Sequence, residues 1–140
     1  MIKTKARVLL SLTLLCGFAI CCSFVGLSLY SGIIDTRNLG DTFGTLVAVY
    51  SPNLALLLGA LQAGKGDNGR ASKNGFVLAL VSIVVWNLLM VLRVAWFAST
   101  GFTSREDPLV SVLEFWKVIG GTASVLVVGP IGFYITKHEL

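Results

Sequence analysis

The side chains best equipped for chemistry in this sequence fall at the middle of a stretch that is apolar enough for lipid. TFGTLVAVYSPNLALLLGALQAG, residues 42–64, carries no charge, yet its centre reads Tyr50-Ser51-Pro52-Asn53. Pro52 has no amide hydrogen, so the carbonyl of Ala48 loses its helical donor and the helix is expected to bend there. In lipid that carbonyl requires another donor. Tyr50, Ser51 and Asn53 are near, and so is Asn87 in VVWNLLM of a later apolar run. Asn53 lies 11 residues from Gly64 and Asn87 lies 11 from Phe76, so in antiparallel helices both stand roughly 16 Å from the same end. Tyr50, Ser51, Asn53 and Asn87 are thus expected to form a polar cluster at the midplane. Two uses are open for it: interhelical hydrogen bonding worth about 0.6–2 kcal/mol, or the lining of a pore or ligand cavity once several copies assemble.

Other chemistry finds few residues. Cys16, Cys21 and Cys22 lie in one apolar run and read as small apolar fillers. The sole histidine, His138, is far from all three, so neither a metal nor any cofactor is expected. GKGDNGRA (64–71) approaches the spacing of a phosphate loop, but Arg70 and Ala71 stand where lysine and hydroxyl are needed, and no strand precedes it. There is no Ser-His-Asp, Cys-His or paired-carboxylate arrangement and no buried acid to carry protons. Enzyme activity is not expected.

These residues must be positioned by membrane helices. Of 140 residues, 55% are hydrophobic and 13% charged, against roughly 25% charged in ordinary soluble domains. The charges cluster, leaving uncharged runs at 8–34, 42–64, 74–92 and 118–136, each near the ~20 residues that cross hydrocarbon. The expectation is a single all-α membrane domain over 1–140: a four-helix bundle with spans at about 8–30, 42–63, 76–99 and 109–136. The N-terminal run resembles a signal peptide, but it is too long for one and no Ala-x-Ala site follows. It is read as a retained first span.

Lys3, Lys5 and Arg7, the loop residues Lys65, Arg70 and Lys73, and Lys137 all fall on one side of such a topology. The positive-inside rule puts both termini in the cytoplasm of a bacterium, with the bundle in the inner membrane. The net charge of +4 then reports topology and attraction to anionic lipid, not nucleic-acid binding. Asp107-Pro108 reads as N-cap and first residue of the fourth span. Trp96, Phe97, Phe115 and Trp116 form an outer aromatic belt.

Packing features follow the same spans. Ser51, Ala55, Gly59 and Ala63 make a small-residue row in the second span, and Gly120 and Ser124 a shorter one in the fourth. Such rows let backbones approach closely. The first row is expected to pack within the chain, with another subunit as the alternative. Pro130, between Gly129 and Gly132, predicts a second bend. Arg93, the one charge inside a span, is expected to anchor at the outer interface, with Glu114 as its candidate ion-pair partner. The glycine-rich loop 64–75 presents Lys65, Arg70 and Lys73 to anionic lipid or to a cytoplasmic protein.

The small multidrug transporters share this size, but that family implies a glutamate in the first span, which here holds no acid. The layout as a whole, with the outer stretch NLGDTFGTL (38–46) leading into the second span, resembles the RexB-like phage-exclusion membrane proteins and the membrane subunit of Kiwa anti-phage systems. The resemblance implies a role in membrane permeability or in sensing envelope damage. The residues themselves support a homo-oligomer acting as an ion-permeation pore or membrane-state sensor. An anchor that regulates a cytoplasmic effector through loop 64–75 is the alternative, and a small-molecule transporter the third reading.

Overall fold

A computed structural model describes residues 3–63, 73–100 and 108–136. All are helical or in short turns, with no strand among them. Helix α1 spans Lys3–Tyr30, α2 Leu39–Ala63, α3 Lys73–Thr100, α4 Pro108–Phe115 and α5 Gly121–Thr136. A π-helical turn, Trp116–Gly120, joins α4 to α5. Four stretches are long and apolar enough to cross a membrane: Thr4–Tyr30, Thr36–Gly59, Lys73–Ser99 and Leu109–Ile131. A helix satisfies its own backbone polar groups, which is what an uncharged segment in hydrocarbon requires.

The end of α1 is closed by its sequence. Gly32 adopts φ 72°, the left-handed conformation that glycine takes without strain. Its amide donates to the Leu29 carbonyl and that of Ile33 to the Ser28 carbonyl, at 3.0 and 2.9 Å. This is the paired cap that terminates many helices. Asp35 then accepts from the Arg37 amide at 3.0 Å and starts a short 3₁₀ turn, Thr36–Asn38, that leads into α2.

The helices form a four-membered ring. α1 packs against α2 and α3, and α5 packs against the same two. α2 and α3 therefore oppose each other across the ring, and so do α1 and α5. Large side chains fill the centre: Trp86, Trp116, Tyr50, Phe97, Leu46, Leu57 and Met90 are fully buried. The outer surface is just as apolar, with Leu27, Leu58, Leu88, Leu92 and Val125 each at least half exposed. A soluble protein rarely exposes apolar patches beyond a few hundred Å²; lipid tails cover such a surface at no cost.

The fourth span differs from the continuous helix expected over 109–136. The π turn inserts a wider coil at its middle, and both Trp116 and Gly120 face inward there. Pro52 and Pro130 lie inside helices that continue past them.

Candidate functional site at the centre of the bundle

The polar residues picked out by sequence part company in the fold. Tyr50 is fully buried, and its hydroxyl donates to Asn87 Oδ1 at 3.2 Å, crossing the ring from α2 to α3. With that proton committed, the hydroxyl is left to accept from the Cys21 thiol of α1, at 3.6 Å. Asn87 Nδ2 donates to the Thr13 carbonyl of α1 at 2.9 Å. Three helices are thereby tied in one knot, enclosed by the Phe18 ring at 5.2 Å and the Trp86 ring at 4.5 Å from that of Tyr50.

Gly17 makes the knot feasible. A helical carbonyl is ordinarily overhung by the side chain four residues on, and for Thr13 that residue is Gly17. A Cβ placed there would lie 2.1 Å from Asn87 Oδ1 and 2.6 Å from Nδ2. The asparagine amide occupies the space that the glycine leaves open, and α1 and α3, which run parallel, approach closely there. Thr13, Gly17 and Cys21 belong to the site although sequence reasoning did not select them. The interval of four between Thr13 and Gly17 was their only signal.

Asn53 and Ser51 go elsewhere. Asn53 is fully buried, and neither atom of its amide has a hydrogen-bond partner. Ser51 is exposed on the outer face, where its hydroxyl donates to the Ala48 carbonyl at 3.4 Å. That is the carbonyl freed by Pro52, so the proline and the serine before it form a locally compensated unit. The small-residue row to which Ser51 belongs also faces outward: Ala55 and Gly59 are exposed. The expectation that this row packs within the chain does not hold for these three, because α2 turns its larger residues, Leu46, Tyr50 and Leu57, to the interior.

A second contact joins α3 to the π turn, with Trp86 Nε1 donating to the Gly120 carbonyl at 3.4 Å. The indole nitrogen of Trp116, also buried, has no partner. A Cβ at Gly120 would come 2.7 Å from Val49 Cγ1 and 3.0 Å from Met90 Cε. Met90 can yield, but the β-branched Val49 is held to one rotamer in its helix, so Gly120→Ala is expected to cost about 1–3 kcal/mol, read as a lowered unfolding midpoint in detergent titration. Ser124 is half-buried and bonds back to the Gly121 carbonyl at 2.6 Å.

The expected Arg93–Glu114 ion pair is not formed. Arg93 Nη2 donates to Ser111 Oγ, and its guanidinium lies 5.8 Å from the centre of the Phe115 ring. Glu114 points outward and is exposed. One helical turn separates Ser111 from Phe115, and that spacing directs both toward α3 while Glu114 falls on the neighbouring face. Arg93→Leu is expected to change stability by less than about 1 kcal/mol, in keeping with a half-buried cation over a ring.

Comparison with family models, curated proteins and solved structures found no match. The chemistry is therefore read from the chain alone. All three cysteines are free: Cys16 exposed, Cys22 half-buried and Cys21 in the knot. Among the described residues no three His, Cys, Asp or Glu side chains converge to hold a metal. Lys65 and Arg70 lie outside the described residues, and Lys73 is exposed at the first turn of α3.

Proposed function

We propose that this chain is a non-enzymatic protein of a bacterial inner membrane, with both termini cytoplasmic, whose copies assemble into an ion-permeation pore or membrane-state sensor serving anti-phage defence. The observation that carries the self-assembly is the outward face of α2. Gly40, Gly44, Ala48, Ser51, Ala55 and Gly59 are all exposed, at intervals of three or four that put them on one stripe. At 1.5 Å per residue the stripe is roughly 28 Å long, close to the ~30 Å hydrocarbon thickness. Lipid gains little contact against glycine and alanine, whereas a second helix can approach closely and gain dispersion along the full length. Beside the stripe, Thr45, Pro52, Lys117 and Ser124 line a groove of about 260 Å³ on the α2 side of the bundle.

The central knot favours a route between copies over one through a single bundle. Tyr50, Asn87, Trp86 and Phe18 fill the middle of the ring, so an isolated chain has no open polar path there.

The test is the mass of the complex extracted directly into native lipid discs, followed by conductance in planar bilayers. A discrete homo-oligomer is expected. Ala55→Leu with Gly59→Leu should weaken association at least about tenfold, equivalent to 1.4 kcal/mol, leave the helical content intact, and abolish conductance or the response to membrane disturbance. A wild-type chain that is monomeric in discs rules the proposal out.

A further inference from the structure

The unexplained charge in this fold is Arg7. It lies on the inward face of α1 at 9% exposure, and its Nε and Nη1 are buried with no hydrogen-bond partner. Its neighbours in sequence behave differently: Lys5 is exposed and Val8 faces outward. One turn further along the same face, the Ser11 hydroxyl is also buried and without a partner. A guanidinium stays protonated in proteins, and a buried charge is retained only where something neutralises it and occupies its donors. The described carboxylates do not do so. Asp35 and Asp41 flank the start of α2, and Glu114 belongs to α4. All three lie toward the other end of the bundle, because α1 begins where α2 ends.

We propose that Arg7 binds a phosphate group at the end of the bundle where α1 and α3 begin. Three observations define the ligand class. The unmet donors on a permanent cation call for an oxyanion. Among the described residues the charge at this end is positive, with Lys5 and Lys73 exposed. Arg7 is four residues into α1, about 6 Å along its axis, and side chains lean toward a helix's N-terminus. The guanidinium is therefore carried toward the level at which phospholipid headgroups sit. A lipid headgroup and free phosphate offer Arg7 the same oxygens.

The test uses the full chain in which Arg37, Arg70, Arg93 and Arg105 are replaced by lysine, so that Arg7 is the one arginine left. Its side-chain nitrogens are labelled with ¹⁵N, and their dipolar coupling to ³¹P is measured by solid-state NMR. One sample is in phosphatidylglycerol vesicles in phosphate-free buffer. The other is in dodecyl maltoside, delipidated, with inorganic phosphate. Coupling in the vesicles alone assigns a lipid headgroup; coupling in the phosphate sample as well assigns a site for phosphate from either source. No coupling in either sample overturns the proposal and leaves a carboxylate as the counter-ion.

Discussion

Gly17→Ala is expected to lower the stability of the folded bundle by about 2–4 kcal/mol, the sum of an overpacking cost and of interhelical hydrogen bonds lost in lipid. The added methyl would sit 2.1 Å from Asn87 Oδ1, and the amide cannot give way without breaking its bond to the Thr13 carbonyl. Asn87 must rotate away, which deprives Tyr50 of its acceptor and α1 of its tie to α3. Gly26 is the matching control in the same helix, since a Cβ there meets nothing within 4 Å. Gly26→Ala should be neutral or stabilising by about 0.5–1 kcal/mol through reduced backbone entropy. Unfolding in mixed micelles measures both. Equal behaviour of the two variants would show that the knot contributes nothing to the fold.

Asn53→Leu should act in the opposite direction and raise stability by about 1–3 kcal/mol, the cost of leaving a buried polar group unsatisfied. The side chains have nearly the same shape, and Asn53 has no partner to lose. Asn87→Leu, by contrast, removes two hydrogen bonds and should destabilise by about 1–2 kcal/mol. A polar residue that is kept at the expense of stability is where function is to be sought. Under the proposed assembly, Asn53→Leu yields a more stable protein with lowered conductance or a blunted response to membrane disturbance. A loss of stability on Asn53→Leu would mean that the amide holds a ligand or water in the folded state.

The difference between these two asparagines was not legible in the sequence. Both are single amides in apolar runs, at similar depth, and depth along a helix follows from counting residues. Which way each side chain faces depends on how the helices are rotated and which of them are neighbours. The ring places α2 opposite α3, so a residue from each can meet only through a long side chain reaching across the centre. Tyr50 has that reach. Asn53, three residues further along α2, does not find Asn87 from its own position. Arg93 gives a similar lesson: charge alone suggested Glu114, while the turn of α4 set Ser111 and Phe115 against it.

What the sequence determined by itself is the class of the molecule: an all-α chain with four helices long and apolar enough for a membrane. Composition and run length suffice for that, because in hydrocarbon each helix must satisfy its backbone alone and so can be recognised one at a time. It also located the polar unit around Pro52, whose freed carbonyl is met by the adjacent Ser51, a local event. Tertiary structure alone decided that the small residues of α2 face outward, that Gly17 admits Asn87, and that Arg7 is drawn inside without a partner. With apolar residues on every side of each helix, no amphipathic stripe marks the inward face; close packing of particular side chains selects it.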